Sequence, residues 1–151
     1  MRRTCRGFTV AELVMVTAIV AILAAVALPT ARFTMKRERE SELRLDLRLM
    51  RNAIDDYKHL SDQGMIQVEI GTEGYPKSLE DLVKGVSIVG QLTKRKFLRR
   101  VPIDPMTGKA EWGLRSYQDE MNATSWGGQN VYDVYSLSQG VALDGTKYKD
   151  W

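Results

Sequence analysis

Residues 7–29 read GFTVAELVMVTAIVAILAAVALP, and this stretch decides what the rest of the chain has to be. From Phe8 to Leu28, 21 residues carry one charge, Glu12, and neither proline nor glycine. As a helix rising about 1.5 Å per residue they span roughly 32 Å, enough for a hydrocarbon core of about 30 Å. Ahead of them, Met1-Arg2-Arg3-Thr4-Cys5-Arg6 holds three arginines and no acid. By the positive-inside rule the arginine end stays in the cytoplasm and the chain beyond Pro29 crosses.

With 151 residues, the chain has room for one modest domain besides this anchor. The 22 basic and 19 acidic side chains differ by three, and Arg2, Arg3 and Arg6 account for the whole surplus. A chain starting at Phe8 is balanced, so the basic character is no argument for a nucleic-acid partner. Cys5 is the only cysteine and precedes the apolar run. The exported part therefore forms no internal disulfide, although its compartment would permit one.

Three readings compete for the N-terminal segment. A secretory signal would use Ala25-Val26-Ala27 as its small-residue cleavage site, but the apolar run is long and holds a carboxylate near its start. A charge at a membrane centre costs about 2.5–3.5 kcal/mol on insertion scales and less near the interface. A plain anchor tolerates Glu12 as a negative charge near a helix N-terminus. The third reading starts from Arg6-Gly7-Phe8-Thr9-Val10-Ala11-Glu12, which resembles the processing site of type IV pilins and of the pseudopilins of type II secretion.

That resemblance implies a cut between Gly7 and Phe8 by a prepilin peptidase and N-methylation of Phe8. Glu12 then falls at the fifth mature position and Pro29 at the 22nd, as the family usually has them. The new amine on Phe8 would enter an apolar filament core, where Glu12 of a neighbour neutralises it. Such a pair sets axial register more than it adds net stability. Ala11, Ala18 and Ala25 recur every seven residues with Ala21 on the same side, which permits close helix approach. Alanine is equally ordinary in apolar helices. Pro29 removes a backbone N–H and leaves the Ala25 carbonyl without its usual donor, so it marks a kink or a boundary. The resemblance implies local unwinding there in a filament.

Residues 30–61 read as the periplasmic continuation of the helix. The run 36–42 is charged on all sides, read as a solvated face or equally as a contact between subunits in a filament, and leads into a well-oriented Glu40–Arg44 pair, worth a few tenths of a kcal/mol. Leu43, Leu47, Met50, Ile54 and Tyr57 then form one apolar stripe, and residues 61–64 supply a stop. Ile66, Val68 and Ile70 alternate with other residues as a short strand or an extended loop. A short helix over 75–83 is capped by Ser78 with Asp81 at the capping-box position and ended by Gly85. Residues 104–108 form a turn. Antiparallel strands are expected near 112–117 and 130–136, separated by the Trp126-Gly127-Gly128 turn. The expected fold is α+β, a long N-terminal helix with a membrane-spanning first half, packed on a small C-terminal antiparallel β-sheet domain. Its divisions are a leader at 1–7, an assembly helix at 8–29, its periplasmic continuation at 30–62 and a globular part at 63–151.

Tyr75-Pro76, the segment 97–105, Tyr132-Asp133-Val134-Tyr135-Ser136 and the ending from Asp144 to Asp150-Trp151 look like a major pseudopilin of type II secretion. Type IVa pilins usually close a C-terminal loop with a disulfide, for which this chain has no cysteine. The resemblance also implies a calcium ion held by Asp144 and Asp150, with Leu137 and Ser138 as carbonyl or hydroxyl donors. Calcium takes about 6–8 oxygens. Gln139-Gly140 stands where the family often has aspartate-glycine, and Asp144-Gly145 equally reads as a tight turn. The implied partners are further copies of the chain, minor pseudopilins, prepilin peptidase, an inner-membrane platform protein and an assembly ATPase. The implied location is the bacterial inner membrane, with the C-terminal domain and the assembled filament in the periplasm. A type IV pilin of a surface or DNA-uptake pilus is one alternative, and a single-pass anchored periplasmic binding module is another.

Residues 94–100 form a basic cluster, read either as a site for an anionic partner or, better, as a solvated edge with Phe97 as its one aromatic. His59 stands alone near a helix end. No Ser-His-Asp, Cys-His or metal-hydrolase spacing occurs, so no enzyme activity and no nucleic-acid partner are expected.

Overall fold

A computed structural model describes residues 8–90, 92–120, 123 and 125–151. Gly7 and the rest of the expected leader lie outside the described residues. Thr9 starts the first helix, α1 (Val10–Asp62): its hydroxyl oxygen accepts the Glu12 N–H at 3.2 Å and its carbonyl the Leu13 N–H at 3.1 Å. That is N-cap geometry. The helix is continuous through Pro29, so of the two readings there, a kink or a boundary, the boundary does not hold, and residues 30–61 continue the same helix.

The chain divides into two compact units, Met1–Glu38 and Arg39–Trp151. In the first, Leu13, Val14, Met15 and Val16 are all exposed, as are Ile19, Val20, Ile22 and Leu23. Four consecutive residues cover every side of a helix, so this part is apolar all round, the pattern of a rod meant for lipid or for other rods.

In the second unit α1 shows the opposite pattern. Leu43, Leu47, Met50 and Ile54 are buried on one face, each contributing roughly 1.5–3 kcal/mol of apolar burial. They share a core with Leu82, Leu98, Trp112, Val131 and Val134. Tyr57 continues the stripe as a half-buried residue against Leu60, Ile66 and Ile88. At the stop, the Met65 N–H reaches back to the Leu60 carbonyl at 3.0 Å, and Gly64 takes a φ of 70°. This closes the helix in the manner of a glycine C-cap.

Beyond α1, Ile66 is buried and bridges Ile88, whereas Val68 and Ile70 are exposed. The segment is thus the extended loop of the two readings. Helix α2 (Leu79–Lys84) begins as expected, with the Asp81 carboxylate accepting both the N–H and the hydroxyl of Ser78 at 2.9 and 3.0 Å. Two antiparallel two-stranded sheets follow. Strands β1 (Val86–Ser87) and β2 (Lys94–Arg95) form the first, which the sequence did not announce because two residues show no period. Strands β3 (Gly113–Arg115) and β4 (Asp133–Tyr135) form the second, with Leu114 opposite Val134. Gly113 leaves room for the ring of Tyr135, which a Cβ there would meet at 2.3 Å. Asp104, wholly buried, accepts the Met106 N–H at 2.7 Å and the Ser136 hydroxyl at 2.6 Å, so the turn at 104–108 is pinned to the end of β4. A short 3₁₀ helix, Tyr148–Asp150, closes the chain. The fold is α+β, with the long N-terminal helix and small antiparallel sheets.

Candidate functional site: the assembly helix and the tethered C-terminal loop

Phe8 is 74% exposed and stands immediately before the Thr9 cap, so a chain starting at Phe8 would place its amine one residue ahead of the cap. Glu12 lies in the first turn, where a carboxylate is favoured by the helix dipole. Thr9-x-x-Glu12 also has the form of a capping box, a signal the sequence reading passed over. The threonine hydroxyls of the rod turn back onto its own backbone. Thr17 donates to the Val14 carbonyl at 2.9 Å, Thr30 to Ala27 at 2.8 Å and Thr34 to Thr30 at 3.0 Å. Those hydroxyls would therefore meet an apolar medium already bonded. Pro29 sits within α1.

The C-terminal loop is tied to α1 by three charged side chains of that helix. Glu40, 6% exposed, accepts the Tyr148 hydroxyl at 2.9 Å and the Leu143 N–H at 2.8 Å. Burial, and then the neighbouring Glu40 carboxylate, push the Tyr148 hydroxyl up to about 12. Arg44 pairs with Asp144 at 3.2 Å and lies over the Trp151 ring, 4.2 Å from its centroid. Arg51 donates to Asp133 at 2.7 Å, to the Val134 carbonyl at 3.1 Å and to the Trp151 carbonyl at 2.8 Å. The expected Glu40–Arg44 surface pair is therefore corrected: both residues reach into the C-terminal loop instead. A signal for this existed. Stepping the apolar stripe back by three from Leu43 lands on Glu40, so the acid occupies the core-facing line of the helix.

The four residues expected at a calcium site are placed as follows. Asp144 accepts the N–H and the hydroxyl of Thr146 at 2.9 and 2.6 Å, besides the Arg44 contact. These bonds, the hydroxyl first, hold its carboxyl below the usual carboxylate range. Asp150 is exposed on the 3₁₀ helix and Leu137 is exposed. The Ser138 hydroxyl oxygen accepts the Gly140 N–H at 3.3 Å. Among the described residues no group of three or more His, Cys, Asp or Glu could hold a metal. As folded, this donor set does not fit a calcium shell, because its best carboxylate already carries two Thr146 donors and a guanidinium.

In the basic cluster, Lys94 and Arg95 are exposed on β2, but Phe97 packs on Tyr57 with ring centroids 5.5 Å apart. The Phe97 and Leu98 N–H groups both donate to the Leu82 carbonyl, at 2.9 and 3.0 Å. The one aromatic of the cluster is thereby committed to the interior. His59 is exposed and contacts Gln63 at 2.9 Å.

Among the described residues, α1 is long and apolar enough to cross a membrane, and none of its most apolar window is buried. Residues 2–28 match a family described as the prokaryotic N-terminal methylation motif. Neither curated proteins nor solved structures give a match to the chain. The matched segment contains the Gly7-Phe8 junction and Glu12 and ends one residue before Pro29. The N-terminal segment thus carries a prokaryotic N-terminal methylation motif, and the helix that runs through it is long and apolar enough to cross a membrane.

Proposed function

We propose that the chain is the precursor of a filament subunit, cut between Gly7 and Phe8 and methylated on Phe8, whose mature form polymerises into a periplasmic pseudopilus for type II secretion. The match of residues 2–28 to the methylation motif carries this reading. An apolar rod with one carboxylate supplies the physics. Outside lipid, its exposed side chains need identical rods around them, and Glu12 needs a cation. In this mechanism the subunit leaves the bilayer when neighbours replace the lipid, with the Phe8 amine meeting Glu12 of an adjacent copy. The domain from residue 39 onward stays outside the filament core. The chain performs no chemistry; its work is assembly, with minor pseudopilins, a platform protein and an ATPase acting on it.

A pseudopilus is favoured over a surface or DNA-uptake pilus because a chain starting at Phe8 has no cysteine with which to close a C-terminal loop. Deletion of the gene tests the choice. Loss of exoprotein export supports the pseudopilin, whereas intact export with loss of long surface filaments supports the pilin.

A further inference from the structure

We infer that the groove between residues 41–51 of α1 and the C-terminal loop receives the loop 67–73 of a second copy of this chain. The inference rests on the assembly reading and deepens it, by naming which surfaces meet outside the filament core.

The groove has a volume of about 660 Å³, with Leu47 and Trp151 among its apolar lining and Arg44, Arg48 and Arg51 along one helix face. Steps of four and three put those arginines on one line. Arg44 and Arg51 are directed at Asp144 and Asp133. Arg48 makes no ion pair among the described residues; its Nε donates to the Arg44 carbonyl at 3.2 Å. Asp144 is the one acid in the lining, so the groove is net positive and offers a guanidinium fork to an incoming carboxylate.

The loop 67–73, Gln-Val-Glu-Ile-Gly-Thr-Glu, is its complement. It holds two acids, Glu69 and Glu73, and no base. Ile70 is fully exposed at its tip and Val68 is half exposed. The loop is already shaped: the N–H and hydroxyl of Thr72 donate to the Glu69 carbonyl at 3.3 and 2.9 Å, and the Tyr75 N–H donates to the Thr72 carbonyl at 3.0 Å. Docking it loses little ordering entropy. Lys77 contacts Glu69 at 3.3 Å, whereas Glu73 makes no ion pair among the described residues, with Lys58 as its electrostatic neighbour, and so is the acid for Arg48.

The two surfaces lie near opposite ends of the α1 segment in this unit. From the middle of 41–51 to Asp62 is about 16 residues, roughly 24 Å of helix. One copy therefore cannot fill its own groove. A contact between unlike surfaces is heterologous and propagates as an open chain.

The test uses the full chain in native membranes on a Cys5→Ser background, carrying Arg48→Cys and Ile70→Cys together. Oxidation should give a ladder of disulfide-linked oligomers, and differently tagged single variants expressed together should give a mixed dimer. Arg48→Glu and Glu73→Lys should each lower the assembled fraction about tenfold, and the two together should restore it. Lysine cross-linking of the Cys5→Ser parent reports assembly independently. If the parent cross-links but the cysteine pair stays monomeric and the charge reversals do not compensate, the docking proposal is overturned and the assembly reading stands. If the parent does not cross-link, both fall.

Discussion

Replacing Glu40 by alanine should weaken the fold far more than removal of a charge from a solvated helix face. The Tyr148 hydroxyl, on a residue 3% exposed, and the Leu143 N–H would each lose their acceptor. An orphaned buried polar group costs about 1–3 kcal/mol, and the Leu143 group reaches water more easily, so the expected loss is about 2–4 kcal/mol. Glu40→Gln keeps an acceptor oxygen and should cost about 1 kcal/mol. Tyr148→Phe leaves a buried carboxylate with one donor fewer, worth about 1.5–3 kcal/mol. The double variant Glu40→Ala/Tyr148→Phe should fall short of the sum by about 1–2 kcal/mol, because the two side chains share one bond. Urea unfolding of the full chain in detergent, followed by tryptophan fluorescence, reads these differences. The alkaline limb gives a second reading. With Tyr148 pushed up to about 12 from its usual 10.0, the folded chain keeps a proton that the unfolded chain releases. This contribution, at most about 3 kcal/mol, is complete below pH 10 and disappears as the pH rises from about 10 to about 12. A Glu40→Ala loss under about 0.5 kcal/mol, with no coupling to Tyr148, would refute the buried-acid reasoning.

Three further outcomes follow from the geometry. Gly113→Ala places a methyl 2.3 Å from the Tyr135 ring, so the β3–β4 pair must shift; a loss of about 1–3 kcal/mol in the same urea assay is expected, and an unchanged midpoint would be against it. Calcium should leave the proteolysis rate of the full chain equal to that in chelator while Arg44 occupies Asp144, and calcium-dependent protection would mean that the loop rearranges to bind it. Glu12→Ala should be cleaved and methylated normally, since the Thr9 hydroxyl caps the backbone N–H of residue 12 and not its side chain, yet should fail to assemble or lose register. Normal filament yield from that variant would remove Glu12 from the mechanism.

Local features were legible in the sequence and distant ones were not. The steps from Leu43 to Ile54 gave the buried face, Ser78 and Asp81 gave the start of α2, and Asp104 to Gly108 gave a turn, because each signal spans a few residues. Glu40 was read as solvated because its charge outweighed its place on the stripe, and its partners Leu143 and Tyr148 lie more than a hundred residues on. Arg44 was matched to the acid one helical turn before it, although Asp144 and Trp151 together offer it a carboxylate and a ring. The alternation of Ile66, Val68 and Ile70 suggested a strand as readily as a loop. Only Ile66 finds a partner, Ile88, and pairing is what distinguishes the two. The methylation motif over residues 2–28 was legible too, since its signal lies in order and spacing along one short stretch.

The central claim is that the first seven residues are removed so that a charged Phe8 terminus can enter a bundle of identical apolar helices. N-terminal mass spectrometry of the native protein tests it most directly. The account predicts a chain that begins at methylated Phe8; a native chain that still carries residues 2–7 would contradict it.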